Sequence, residues 1–162
     1  MIVRDLMQRN VVTIPVGTPW RRVVELLLLH HITGAPVVDA SGTVVGVVSE
    51  KDVFRAIYPS YEEWYAGPQA YTDLLAFEEE ARAAQGKTVE QFMSTRVKSV
   101  PSDTPVLKIG ALMVATGIHR VPVVDRGKLV GMVSRHTIFR TILRVHFGLE
   151  ETQRDHEQAH VG

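Results

Sequence analysis

Cysteine is absent from the 162-residue sequence, and so is any excess of charge. The lack of cysteine excludes disulfide bonds, thiolate catalysis and cysteine-ligated zinc or iron–sulfur sites. The 18 acidic side chains balance the 18 lysines and arginines, so the composition does not favour general attraction to nucleic acid or to an anionic membrane surface. Hydrophobic residues make up 45% and charged residues 22% of the chain, which is ordinary for a soluble globular protein.

Long apolar runs are missing as well. The four leucines at residues 26–29 form a run far shorter than the about 20 residues that a helix needs to cross a bilayer. The charged first ten residues lack the continuous apolar core of a signal peptide. The sequence therefore predicts a cytoplasmic protein that neither enters a membrane nor binds nucleic acid.

The two ends of the chain are similar to each other when one is shifted by 86 residues along the other. The aligned pairs include Met7 with Met93, Pro36-Val37-Val38-Asp39 with Pro122-Val123-Val124-Asp125, and, after a one-residue deletion, Gly46 with Gly131 and Ser49 with Ser134. Matches this dense over about 55 residues indicate a tandem duplication with an insert between the copies. We divide the chain into residues 1–57, the insert 58–87, residues 88–145 and a polar tail 146–162.

Helix starts and stops recur in both copies. Thr18-Pro19 and Thr104-Pro105 are typical helix starts, with a hydroxyl at the N-cap and a proline at the first helical position. Gly117 is a natural left-handed residue at the end of the second of these helices. The first copy has His31 at the equivalent position, where a positive backbone dihedral is more costly.

Valine-rich segments follow these helices in each copy. Residues 35–38 and 43–48, repeated as 121–124 and 128–133, predict strands that are buried on both faces. Each copy then has the order strand, helix, strand, strand, helix, which is an α/β pattern. Because about 55 residues are marginal for independent folding, we expect the two copies to pack their sheets together.

Ser49 and Asp52 lie where the last predicted strand of the first copy meets a helix. A helix N-terminus offers unpaired amides and a partial positive charge, which suits phosphate. A carboxylate one turn inside that helix can accept hydrogen bonds from both hydroxyls of a ribose, and Val47 and Val48 would provide a dry wall for a base. The same Ser-x-x-Asp pattern is also that of a capping box, in which the two residues only cap the helix. From these residues alone both interpretations stay open.

Three motifs of the first copy together resemble a known family. The order hydrophobic-x-Thr-hydrophobic-Pro at residues 11–15, Pro-Val-Val-Asp at 36–39 and Gly-hydrophobic-Val-Ser-x-x-Asp at 46–52 is similar to a cystathionine-β-synthase (CBS) domain. Two in tandem, over residues 1–57 and 88–145, resemble a CBS pair or Bateman module. The resemblance implies two β-α-β-β-α repeats packed through their sheets in a pseudo-twofold disc. It also implies two clefts for adenosine ligands such as AMP, ADP, ATP or S-adenosylmethionine, which act as regulatory ligands rather than as required cofactors.

The resemblance assigns a ligand cleft to the first copy. Ser49 and Asp52 would contact phosphate and ribose respectively, and the backbone around Pro36 would line the adenine slot. The remaining members of this predicted cleft are their neighbours in the three motifs: Thr13, Thr33, Gly34, Ala35, Val48 and Lys51.

The second copy departs from the family pattern at one residue. It has Ser134-Arg135-His136-Thr137 where the first has Ser49-Glu50-Lys51-Asp52. Thr137 cannot accept two ribose hydroxyls as a carboxylate does, so we expect one competent cleft, around Asp52.

Basic residues show the opposite asymmetry. His119-Arg120 replaces the neutral Thr33-Gly34 and is similar to the regulatory gamma subunit of AMP-activated protein kinase, where such residues reach nucleotide phosphates. We predict that His119 and Arg120 meet the phosphates of a nucleotide in the first cleft, with Arg120 the better candidate because of its planar fork. Solvated loop charges are the alternative. The other predicted residues of this copy are Val121, Pro122 and Ser134. Thr13 and Ser99, which follow the first strand of each copy, are lesser candidates, and ordinary strand-end hydroxyls are the alternative for them.

The insert and the tail match neither copy. The insert is acidic, and residues 71–85 predict a helix that stops at Gly86. This helix either folds back over the disc edge or contacts a dimer partner. In the tail, His156-Glu157-Gln158-Ala159-His160 matches the zinc-protease pattern H-E-x-x-H. That pattern needs a buried helix and a third ligand, so we predict neither a metal site nor a catalytic site here.

The leading hypothesis is a homodimeric regulatory module that binds an adenosine ligand and controls its assembly or a separate partner protein. The alternative from another class is a structural interaction module whose clefts are degenerate and empty. An enzyme is the third possibility, but the sequence has no serine–histidine–acid set, no paired carboxylates in a pocket pattern and no glycine-rich phosphate loop.

Overall fold

The structure is a computed structural model, and it describes residues 1–58 and 74–149. The helices and strands of the first repeat are β1 (Ile14–Pro15), α1 (Trp20–Leu29), β2 (Gly34–Val38), β3 (Val44–Ser49) and α2 (Glu50–Arg55). Helix α3 (Leu74–Gln85) belongs to the insert. Those of the second repeat are α4 (Val106–Thr116), β4 (Arg120–Asp125), β5 (Lys128–Ser134) and α5 (Arg135–Phe147). Short 3₁₀ turns, Val3–Asp5 and Val89–Gln91, lie at the start of the two repeats.

Each repeat is built on an antiparallel hairpin, β2-β3 or β4-β5. The first strand of the predicted pattern is short: β1 pairs in parallel with β2 through Ile14 and Val37. In the second repeat its counterpart is reduced to a single parallel bridge between Val100 and Val123. The order of elements is therefore the predicted one, and the α/β fold class is confirmed.

The helix starts differ from the prediction by one residue. Pro19 and Pro105 are the N-caps, and neither threonine caps its helix. The Thr18 hydroxyl instead donates to the carbonyl of Pro15 at 2.6 Å, inside the preceding turn. The stops are as predicted, because Gly117 has a φ of 70° and His31 a φ of 50°, both in the left-handed region.

The leading segment of each copy packs in the other copy. Val3 and Met7 lie in the apolar core of the second repeat, and Val89 lies in the core of the first. The Val3 amide donates to Thr104 at 2.9 Å, and the Val89 amide donates to Thr18 at the same distance. These contacts are related by the same shift as the sequence repeat. The leading segments of the two copies are therefore exchanged reciprocally about a pseudo-twofold axis.

The exchange of leading segments explains why glycine occupies one pair of aligned positions, Gly46 and Gly131. Met7 packs on Gly131, where an added Cβ would lie 2.6 Å from the methionine sulfur, and Met93 packs on Gly46 in the same way. A side chain at either glycine would displace the methionine that crosses over from the other copy, and at Gly131 it would also crowd the Gln8 carbonyl at 3.0 Å. The two glycines therefore leave room for the crossing methionines.

Helix α3 packs on the first repeat. Its Ala84 is completely buried in a small core with Ala56 and Ile57. Phe77 of α3 lies with its ring centroid 5.2 Å from that of Tyr58. The described part of the insert thus folds back on the first copy and ends at Gln85, as predicted, while residues 71–73 of the predicted helix lie outside the described residues.

Helix α5 extends to Phe147 and ends at the left-handed Gly148, two residues into the segment predicted as a tail. The H-E-x-x-H sequence at residues 156–160 lies outside the described residues.

Candidate ligand clefts

Hairpin pairing brings most of the predicted first-cleft residues together. Gly34 pairs with Ser49 and Ala35 with Val48 across the β2-β3 ladder. The amide of Glu50 donates to the carbonyl of Thr33 at 3.0 Å. The segment from Thr33 to Pro36 therefore runs beside the end of β3, where helix α2 begins.

This junction is tightly packed. A Cβ at Gly34 would lie 2.8 Å from the carbonyl oxygen of Val48, so only glycine allows the two strands to approach here. Residues 34–37 are buried, and Val48 has no exposed surface. The backbone of residues 33–36 is thus held in one position, as a slot for a planar base would require.

Asp52 lies at the third position of α2 and is 8% exposed. Its Oδ2 accepts hydrogen bonds from the Ser49 amide at 2.8 Å and from the Ser49 hydroxyl at 2.6 Å. Its Oδ1 lies 3.7 Å from Nη1 of Arg55. One carboxylate oxygen therefore caps the helix, as in the capping-box interpretation, and the other makes this long ion pair within the described residues.

Thr13 and Lys51 flank the same junction. Thr13 is half-buried and immediately precedes Ile14, whose parallel pairing with Val37 places Thr13 at the same end of the sheet as Pro36. Lys51 is exposed in the first turn of α2.

Helix α2 is short, and its first turn is acidic. It has six residues and carries Glu50 and Asp52 at its start. A short helix with two carboxylates in its first turn attracts phosphate weakly, because the anionic side chains oppose the partial charge of the amides. The expectation that this helix start binds phosphate by itself is therefore not favoured. Phosphate here requires cationic side chains.

The second repeat forms the same backbone frame. Arg120 pairs with Ser134, and the amide of Arg135 donates to the carbonyl of His119 at 2.7 Å. Further along the ladder, Val121 pairs with Val133 and Pro122 with Met132. The predicted residues of this copy therefore line a junction equivalent to the first.

The chemistry at this second junction differs. The Ser134 hydroxyl accepts a hydrogen bond from the Thr137 amide at 3.1 Å, so Ser134 is a true N-cap. The first turn of α5 carries Arg135 and His136 and no acidic residue. Sequence reasoning did not include these two basic residues in the site, although the comparison of the repeats displays them.

His119 and Ser99 are exposed and Arg120 is half-buried. Ser99 immediately precedes the Val100–Val123 bridge, at the position equivalent to Thr13. Each of these residues lies at the second junction, so their predicted action on a ligand in the first cleft stays a prediction.

Within residues 1–58 and 74–149, no group of three histidine or acidic side chains is placed to hold a metal ion. Among the helices of these same segments, none has the length and apolar character needed to cross a membrane.

The comparison with known proteins identifies the family. A family model described as "CBS domain" matches residues 3–59 and again residues 89–144. The chain belongs to the CBS domain family. Both copies of the duplication are CBS domains, which confirms the tandem pair predicted from the motifs.

Proteins similar to this chain include several that are longer. The uncharacterized protein MJ1426 of Methanocaldococcus jannaschii is 27% identical over 155 residues, covering 88% of this chain and 92% of that protein. The chloroplastic CBS domain-containing protein CBSX2 of Arabidopsis thaliana is 28% identical over 151 residues. The chain spans 61% of CBSX2, 55% of the related CBSX1 and 39% of protein MJ1225 of M. jannaschii.

Solved CBS pairs have the same fold. CBSX2 in complex with AMP is 28% identical with a TM-score of 0.67, and the match covers 90% of this chain and 98% of that one. The CBS domain of a membrane protein from Sphaerobacter thermophilus is 29% identical with a TM-score of 0.69, and the match covers 86% of each chain.

Proposed function

We propose that this CBS pair is a regulatory module that binds an adenosine-containing ligand in the first-repeat cleft, with AMP as the first candidate. The observation that carries this proposal is the junction at which residues 33–36 lie against Ser49 and the start of α2, one turn from Asp52. Support also comes from the family, since CBSX2, a relative of the same fold, has been solved with AMP.

Each part of the ligand has a proposed contact. The adenine lies against Thr13 and the backbone of residues 33–36, with Val48 behind it. The ribose hydroxyls donate to Asp52, whose Oδ1 has a long contact with Arg55 in the described part of the chain. Ser49 contacts the phosphate in this proposal and exchanges its hydrogen bond to Asp52 for the ligand.

The negative charge of the phosphate requires cationic side chains that the acidic residues of the α2 first turn do not provide. A phosphate monoester carries about −1.5 to −2 charges at neutral pH, and the first turn of α2 adds Glu50 and Asp52. Lys51 is the cation of the first copy and Arg120 that of the second, where the imidazole of His119 is a further proposed contact. Arg120 is the preferred partner because its fork matches two phosphate oxygens.

The second candidate function is a structural interaction module whose clefts stay empty. A specific observation favours it: Asp52 already accepts two hydrogen bonds from Ser49, so the motif is satisfied without a ligand. In this account the duplication serves assembly only. Catalysis is not part of either proposal.

Thermal unfolding with a ligand panel separates these functions. The panel contains AMP, ADP, ATP, S-adenosylmethionine and NADH. A ligand at 100 times its dissociation constant adds about 2.7 kcal/mol of stability, which corresponds to a rise of about 5–10 °C for a chain of this size. We expect AMP or another panel member to produce such a rise, and Asp52→Ala to abolish it.

The matched control is Thr137→Ala, at the equivalent position of the second repeat. It removes a side chain from the equivalent helix turn and should leave the ligand-induced rise in melting temperature intact. A panel that leaves the melting temperature unchanged favours the structural module. A rise that survives Asp52→Ala places the ligand elsewhere in the protein.

Regulation requires a response to the ligand. We propose that ligand binding changes assembly of a homodimer or contact with a separate protein, and light scattering with and without AMP measures the first of these. The cytoplasmic location remains a prediction from the sequence.

A further inference from the structure

A groove of about 280 Å³ runs along α5 on the side that faces the N-terminal segment. We call it the α5 groove. Met1 and Leu6 form one wall, and His136, Arg140, Thr141 and Arg144 contribute to the other. The groove begins beside the second junction, where His136 and Thr137 line it, but its lining includes none of the residues proposed above to bind the nucleotide. At its far end Val145 also lines the groove and is 53% exposed.

The pseudo-twofold relation gives this groove a counterpart in the first repeat. Shifted by the repeat, Leu6 corresponds to Phe92 and Thr141 to Ala56. In the first repeat these two positions do not face a groove, because helix α3 packs there. Phe77, Ala81 and Ala84 of α3 form a small core with Ala56 and Phe92.

The length of the α5 groove agrees with a helical occupant similar to α3. From His136 to Val145 the α5 groove follows about 14 Å of helix, and the packed face of α3 from Phe77 to Ala84 is about 10 Å long. Thr141 is half-buried where the covered Ala56 is 9% exposed. The α5 groove thus offers the length that one short helix needs.

The charges along α5 indicate which kind of helix fits the groove. His136, Arg140 and Arg144 are spaced four residues apart, so they follow one another along a single side of α5. Helix α3, which fills the equivalent place, carries the acidic run Glu78-Glu79-Glu80 next to its packed face. A helix with an acidic edge therefore complements the α5 groove better than a basic or neutral helix does.

We propose that the α5 groove is the docking site for an amphipathic helix of a partner protein. Its buried face carries small and aromatic residues, as α3 does, and its acidic edge lies beside Arg140 and Arg144. This inference concerns a surface outside the nucleotide cleft and does not depend on nucleotide binding.

The test uses a fluorescein-labelled peptide of residues 74–86, whose helix occupies the equivalent place in the first repeat. Fluorescence anisotropy measures its binding to the full chain without nucleotide. We expect saturable binding that is about tenfold weaker for the double variant Arg140→Glu/Arg144→Glu, because two attractive edge pairs become repulsive. Arg96→Glu/Lys108→Glu, which changes the net charge equally at exposed positions outside the groove, should bind as the unaltered chain does.

Two further variants separate groove binding from simple charge attraction. Thr141→Trp fills the groove and should abolish binding while melting near the unaltered chain, and the peptide variant Phe77→Asp should also fail to bind. A peptide with Glu78→Lys, Glu79→Lys and Glu80→Lys should regain affinity for Arg140→Glu/Arg144→Glu.

Three results would overturn the proposal. The first is no saturable binding of the peptide, and the second is equal affinity for the groove variant and its charge-matched control. The third is binding that ignores Phe77→Asp and is displaced by inorganic phosphate, which would make the groove an anion site.

Discussion

In the first repeat the helix after the hairpin begins with Glu50, Lys51 and Asp52, whereas in the second it begins with Arg135, His136 and Thr137. The capping contacts also differ in direction. In the first, the Asp52 carboxylate reaches back to the Ser49 amide, and in the second the Ser134 hydroxyl accepts the Thr137 amide. The first repeat thus has a capping box at its helix start, whereas the second has a serine N-cap.

The backbone frame is the same in both repeats. The carbonyl of residue 33 or 119 accepts an amide from the first residue of the helix, and the hairpin register is equivalent. The duplication has therefore conserved the geometry of the junction while its charges diverged. We infer that the first junction suits ribose and the second suits phosphate.

Removal of the buried crossover methionine should have the largest effect. Met7 is 9% exposed, while its counterpart Met93 is half-buried. Met7→Ala opens a cavity over Gly131 and should cost about 2–5 kcal/mol in the free energy of unfolding. Met93→Ala should cost less. Urea denaturation of both variants measures the difference, and equal losses would show that the two exchanged segments stabilise the fold equally.

The phosphate contact should have the next largest effect. Arg120→Ala should weaken AMP binding by about 1.5–3 kcal/mol, the usual contribution of a hydrogen bond to a charged group. Adenosine, which lacks the phosphate, should bind both proteins alike. Isothermal titration calorimetry with the two ligands measures this. Equal weakening of AMP and adenosine would instead show that Arg120 supports the fold of the cleft.

Loss of the cap should have a smaller effect on the unliganded chain. Asp52→Ala removes both hydrogen bonds to Ser49 and should lower the free energy of unfolding by about 1 kcal/mol. Thr137→Ala keeps the backbone amide that bonds Ser134, so its cost should be smaller still. Denaturation without ligand compares the two. A larger loss for Thr137→Ala would reverse the assignment of the capping contacts.

The smallest expected effect concerns the loss of stability at acid pH. The Ser41 hydroxyl, followed by the Thr43 amide, holds the pKa of Asp39 below its usual value of 3.8. A carboxyl whose pKa is lower in the folded state stabilises the fold above the unfolded pKa, and this contribution is lost as the pH falls below about 4. The melting temperature of Asp39→Asn should therefore fall less between pH 5 and pH 3.

Asp125 provides the comparison within the second repeat, because hydrogen bonds from Ser102 lower its pKa. Its partner is distant in sequence, while those of Asp39 lie in the same turn. Asp125→Asn should show the same reduced acid sensitivity. An unchanged pH dependence in both variants would contradict the assignment.

Sequence patterns predicted the local structure well. Periodicity and turn residues located the hairpins, and Gly117 and His31 marked the left-handed helix ends. The threonines before Pro19 and Pro105 were misplaced as caps, because Thr18 uses its hydroxyl in the preceding turn.

The exchange of leading segments is harder to predict. Met7 and Met93 occupy equivalent positions, so each local pattern is the same whether the segment packs in its own copy or in the other. Tertiary contacts distinguish the arrangements, among them those of the methionines with Gly131 and Gly46. The short length of α2 and the α5 groove also depend on tertiary packing, which periodicity does not describe.

The central claim is that Asp52 holds the ribose of an adenosine ligand. The direct test is isothermal titration calorimetry of AMP and its 2′,3′-dideoxy analogue on the unaltered chain and on Asp52→Ala. If Asp52 accepts the ribose hydroxyls, the unaltered chain should bind AMP at least about tenfold more tightly than the analogue, and the ratio should approach one in Asp52→Ala. The same ratio in both proteins would contradict the claim.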